Sequence, residues 1–185
     1  MKKIEDYTRV TAVLYPFSGL KKINPDVLKN AAERGTRAHK ACEAIVKNLG
    51  YFDDDETISG YVESFKIWCE NKTFIPTPQR FYCDDLMITG ECDLIYEDER
   101  GLVLVDLKTP AKESKQWLLQ GSAYSYLAKK AGYEIKAIEF VKLSKEGKAA
   151  QVFHYEEKFS LFNSHLEAYR YSFEKEEIIE ELDYL

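Results

Sequence analysis

The sequence predicts a mixed α/β protein: a central mixed β-sheet flanked by helices, within one domain spanning residues 1–185. Three observations predict it. A long helix-patterned stretch comes early, three strand-like runs around a Gly turn come next, and a strand–helix–strand unit follows. With 45% hydrophobic and 31% charged residues, the 185-residue chain has a globular composition and length enough to bury a core.

The elements follow in order. INPDVLKNAAERGTRAHKACEAIVKNLG (23–50) reads as a helix with Pro25 near its start and Gly50 as its stop. Gly35 and Thr36 are expected to kink or interrupt it. DDDE (53–56) reads as a polar loop capping a second helix over 57–71. Strands are expected over 79–83, 87–96 and 101–108, with Gly101 supplying the turn between the last two. A helix over 113–131, strands over 135–143 and 149–155, and a closing helix over 160–181 complete the pattern. There is no internal repeat and no low-complexity segment.

Charge and cysteines bound the function. A net charge of −6 argues by itself against a nucleic-acid binder, but its distribution is uneven. Residues 106–148 hold nine lysines against five acids, and residues 155–185 nine acids against three bases. That asymmetry fits an anion-binding side and a solvated acidic tail; it also fits two ordinary exposed faces. MKKIEDYTRV has no apolar stretch behind its lysines, and no run approaches the roughly 18 apolar residues of a membrane span. Cys42, Cys69, Cys83 and Cys92 form no CxxC pair. Reduced thiols, a cytoplasmic location and no membrane partner are the expectation.

The segment GLVLVDLKTP (101–110) carries the chemistry. Leu102 to Val105 form a continuous apolar run, the pattern of a strand covered on both faces. Asp106 and Lys108 end it two residues apart, on one face, where desolvation is costly. The preceding strand-like run, LMITGECDLIYED, carries Asp93 near its middle. Paired as a hairpin, the two runs would bring Asp93 and Asp106 together. Adjacent carboxylates must share a proton or a cation, and Mg²⁺ and Mn²⁺ take such oxygen ligands. A lysine beside them can orient or deprotonate water. An acid pair of the glycosidase kind is disfavoured, because Lys108 would hold one carboxylate ionised.

Other candidates sit nearby in the pattern. His39 and Glu43 share a helical face, as do Gln120 and Tyr124, while Tyr126 reads as core. Taken singly, each has a structural explanation: an ion pair at a strand end for Asp106 and Lys108, a turn-facing carboxylate for Asp93, a filler imidazole for His39. Their order and spacing carry more than any one of them.

The series GTRAH (35–39), GECD (90–93), DLK (106–108) and QGSAY (120–124) resembles the PD-(D/E)xK nuclease superfamily, closest to its RecB-like branch of phage and recombination exonucleases. The resemblance runs from about Thr11 to about Tyr124 and implies a restriction-endonuclease-like core. It implies that His39, Asp93, Asp106 and the Leu107 carbonyl ligate Mg²⁺ or Mn²⁺, and that Asp93, Asp106 and Lys108 form the catalytic set. Lys108 would position the attacking water. Gln120 and Tyr124 would steady the site and touch the DNA backbone. Apart from the resemblance, Lys112 and Lys115 lie at or just before the start of the same helix and are expected as further backbone contacts.

Some relatives hold an iron–sulfur cluster through cysteines near the C-terminus; no cysteine follows Cys92 here, so no cluster is expected. There is no Walker A motif, so a helicase or recombinase partner would be a separate polypeptide. Ring-shaped assemblies of related exonucleases make a homo-oligomer an expectation too. The acidic end EKEEIIEELDYL has no assigned role. The leading expectation is a metal-dependent DNA exonuclease acting on duplex or single-stranded DNA. Alternatives are a DNA-binding subunit of the same fold with a silent site, and a restriction-like endonuclease.

Overall fold

A computed structural model describes residues 3–49, 55–78, 80–110 and 112–182, without the side chains of Lys21 and 173–182. Its frame is a five-stranded sheet in the order β2-β5-β6-β7-β8. These strands are β2 (Thr73–Phe74), β5 (Leu94–Asp98), β6 (Gly101–Lys108), β7 (Ile135–Lys142) and β8 (Gln151–Tyr155). Only β6 and β7 pair in parallel, so the sheet is mixed as expected.

The apolar run of β6 is covered on both faces. Val103, Leu104 and Val105 have no exposed surface, and each such side chain contributes roughly 1.5–3 kcal/mol on burial. Alternation along β6 divides the core in two. Val103, Val105 and Leu107 pack with α2 (Pro25–Val46) and α3 (Glu56–Cys69). Leu104 packs on the other face with α1 (Val10–Leu14), α4 (Gln116–Lys130) and α5 (Phe159–Leu182). That second face also carries a small sheet, β1-β4-β3, built from Thr8–Arg9, Ile88–Gly90 and Phe81–Cys83.

Helix starts follow local chemistry. Asn24 Oδ1 accepts from the Asp26 and Val27 N–H groups ahead of α2, and Asp55 caps α3 through the Thr57 N–H. Gly35 and Thr36 do not interrupt α2, which runs unbroken for 22 residues. The absent side chain of Gly35 instead makes room for Thr109, whose Oγ1 lies 3.3 Å from where a Cβ would stand. Thr36 turns its hydroxyl back to the Ala32 carbonyl. The helix ends at Val46; Gly50 and the acids at 53 and 54 lie outside the described residues.

The expected strand over 87–96 is two strands in different sheets. β4 belongs to the small sheet and β5 to the large one, and the chain crosses between them at 91–93. Gly90 permits this crossing beside α4, since a Cβ there would come within 2.6 Å of the Tyr124 ring. Asp93 therefore stands in the crossover just before β5, not in the middle of a strand. The helix expected from 113 begins at Gln116, which leaves Lys112 and Lys115 ahead of it. No described helix is long and apolar enough to cross a membrane.

Candidate active site

The end of β5 creates the site. Leu94 is its first residue, with Val105 as its register partner, and the Asp93 N–H donates to the Val105 carbonyl at 3.2 Å. Beyond that point the strand is gone, so the Leu107 N–H has no neighbouring carbonyl. It donates instead to Asp93 Oδ2 at 2.6 Å. The N–H and C=O of one strand residue point to the same side, so the Leu107 carbonyl also faces this gap.

His39 enters the gap from the opposite layer. Its neighbours Ala38, Ala41 and Cys42 bury α2 against the sheet, and its Nδ1 lies 2.9 Å from Asp93 Oδ1. The two side chains keep 32% and 25% exposure, so the pair is reachable from solvent.

Asp106 and Lys108 face α4, the same side as Leu104. Lys108 Nζ lies 2.5 Å from Asp106 Oδ2 and donates to Gln120 Oε1 at 3.0 Å. Gln120 donates through Nε2 to Asp106 Oδ1 at 3.4 Å and to the Tyr124 hydroxyl at 3.0 Å. One turn of α4 thus fixes Gln120 from below and Lys108 from the side. Phe140, the β7 partner of Asp106, lies under the ammonium, 5.1 Å from ring centroid to Nζ. Sequence reasoning missed Phe140, because its place depends on the parallel register of β6 and β7.

The two carboxyls are driven apart in acidity. Burial raises Asp93, but the His39 charge and hydrogen bond and the Leu107 N–H overcome it and hold Asp93 below the usual carboxylate range. Asp106, with 4% exposure, is lifted to about 6 by burial; Lys108 pulls it down and Asp93 pushes it up. Burial pulls His39 down, yet Asp93 more than offsets this and the imidazole ends above its ordinary value. One carboxylate is firmly ionised and the other is poised.

The donor set fits a hard divalent cation. Asp106 Oδ2 has no exposed surface and accepts no directed hydrogen bond, although the ammonium pairs with it. A buried carboxylate oxygen with an unused lone pair, a second carboxylate, an imidazole and a backbone carbonyl are ligands of the Mg²⁺ and Mn²⁺ kind. As they stand, these donors are spent on one another. Among the described residues, no three His, Cys, Asp or Glu side chains are gathered to hold a metal.

The structure thus links His39, Asp93 and Leu107 in one set and Asp106, Lys108, Gln120 and Tyr124 in another, and the charges of the two sets act on each other. Tyr124 is 4% exposed and its hydroxyl is taken by Gln120, so it supports Gln120 and has no surface for a DNA backbone. Lys112 and Lys115 are exposed. A groove of about 690 Å³ opens from His39 and Asp93, between α2 and the segment Phe74–Pro78. Its far wall, FIPTP, went unread in the sequence, where the paired prolines were the available signal.

In comparisons with known proteins, the chain matches no family model, and no curated protein matches its sequence.

Proposed function

We propose that the chain is a metal-dependent deoxyribonuclease that hydrolyses phosphodiester bonds from DNA ends, in recombination, repair or phage DNA processing in the cytoplasm. The observation that carries this reading is Asp93 on the Leu107 N–H, one residue from Asp106, whose acidity its charge affects, with Lys108 paired to Asp106 and held by Gln120. Phosphodiester hydrolysis needs a cation near the phosphoryl oxygen, a positioned nucleophile and a counter-charge for the transition state. His39, Asp93, Asp106 and the Leu107 carbonyl would hold Mg²⁺ or Mn²⁺, which polarises the phosphate and activates water near neutral pH. Lys108 has three donors: one goes to Gln120, and its charge pairs with Asp106. That leaves a donor for a water or a phosphoryl oxygen. Gln120 fixes the ammonium, and Lys112 and Lys115 offer surface charge to flanking phosphates. A homo-oligomer and a separate recombinase or helicase partner belong to the same reading.

A second reading, a DNA-binding subunit with a silent site, draws on the mutual pairing of His39 with Asp93 and of Asp106 with Lys108. Digestion of linear and covalently closed circular duplexes, each with Mg²⁺, Mn²⁺ or EDTA, separates these readings. Loss of linear DNA alone, only with metal, is the expected result. Nicking of circles would mean an endonuclease, and binding without any loss would mean the silent subunit.

A further inference from the structure

The groove beside His39 and Asp93 has two unlike walls. On one side stand Lys40 of α2 and Lys47 just past its end, with Glu43 between them; Glu91, which also lines the groove, is paired with Arg80. Seven residues apart, the two lysines lie on one helical face and are separated by about 10.5 Å of rise. Lys40 has no ion pair among the described residues, while Lys47 pairs with Glu43 on its own helix. On the other side stand Ile75, Pro76 and Pro78, an apolar wall with both prolines exposed. Phe74 anchors this wall from behind, packed 6.1 Å from Trp68 and 6.2 Å from Tyr96, centroid to centroid. Prolines fix the backbone, so the wall is shaped before anything binds.

Cations along one wall and apolar surface along the other suit a ligand that is anionic on one edge and flat and apolar on the other. A single nucleic-acid strand is such a ligand: phosphates run along one edge and bases project from it. The volume of about 690 Å³ is of the size that encloses a small ligand (roughly 300–1,000 Å³), which accommodates a short unpaired segment. We propose that this groove is the track for one unpaired strand of the substrate, with phosphates along Lys40 and Lys47 and bases against Ile75, Pro76 and Pro78. The proposal rests on the nuclease reading, since the groove ends at His39 and Asp93.

The test uses the full chain in Ca²⁺, with a fluorescein-labelled oligothymidylate and a blunt duplex as probes. Lys40→Glu should weaken oligothymidylate binding at least tenfold and lower its salt slope by about 0.7. Its melting temperature should match wild type, since Lys40 is exposed. Independently, ultraviolet cross-linking of a bromodeoxyuridine single strand to wild type should mark residues 74–78. If wild type binds and cleaves DNA but Lys40→Glu binds the single strand normally and cross-links fall elsewhere, the groove assignment is overturned and the nuclease reading survives. If wild type neither binds nor cleaves any DNA, both fall together.

Discussion

Asp93 takes the place of a missing strand at Leu107: its Oδ2 accepts the Leu107 N–H at 2.6 Å where β5 has already ended. One carboxylate therefore satisfies the sheet and, through its other oxygen, holds His39. The same break that opens the gap positions two of the groups that fill it.

This relationship fixes a pH signature. His39 is raised above its ordinary value despite burial, because of Asp93. The pair's stabilisation is therefore full below the unfolded His value of about 6.5 while Asp93 stays ionised, and it is lost as pH rises through the folded His39 value. In metal-free protein, the His39 imidazole resonances should titrate above the ordinary histidine value of about 6.5. Asp93→Asn should move them below it, leaving burial as the dominant influence. An unmoved titration would break the link between the two residues.

Asp106 works in the same sense over a lower pH range. Its carboxyl is raised to about 6, so ionising it opposes folding, and stability conferred at low pH declines as pH rises from about 3.9 through 6. Asp106→Asn keeps the shape and the Gln120 contact and removes that decline. At pH 7 in EDTA the variant should be as stable as wild type, or more stable by up to about 2 kcal/mol, while cleavage is abolished. Urea unfolding at pH 4 and pH 7 checks this. Marked destabilisation at pH 7 would instead favour a purely structural ion pair with Lys108.

Much of this frame was legible in the sequence. Pro25 at the start of α2, the acidic loop whose Asp55 caps α3 and the run LVLVDLK are local signals, and α2, α3 and β6 formed where they pointed. The split of 87–96 was not legible, because β propensity does not say which sheet a strand joins. The two-residue β1 and β2 depend wholly on tertiary pairing and left no pattern to read. Asp93, His39 and Asp106 were found as a set by their order along the chain, yet Asp93's place in a crossover came only with the fold.

Binding of DNA should separate from chemistry. Lys112 and Lys115 are exposed and lie ahead of α4. Replacing both with alanine should weaken duplex binding in Ca²⁺ and lower the salt slope by about 0.9 for each phosphate that the protein no longer neutralises. An unchanged slope would put the duplex on another face.

The seat of Gln120 depends on its neighbour. A Cβ at Gly121 would come within 2.7 Å of Ile138 Cγ2 and Phe140 Cε2, both on β7. Gly121→Ala should cost about 1–3 kcal/mol by overpacking and should lower turnover more than DNA affinity, because it displaces α4 from β7. A full-strength enzyme with normal melting would show that this contact yields freely.

Cleavage of a linear duplex under single-turnover conditions tests the central claim most directly, with wild type, Asp106→Asn and Lys108→Ala compared in Mn²⁺ and in EDTA. Wild type should degrade the duplex in Mn²⁺ and leave it whole in EDTA, and each variant should be slower by about a thousandfold or more while still binding DNA in Ca²⁺. Wild-type cleavage that persists in EDTA, or an Asp106→Asn variant that cuts at the wild-type rate, would contradict the account.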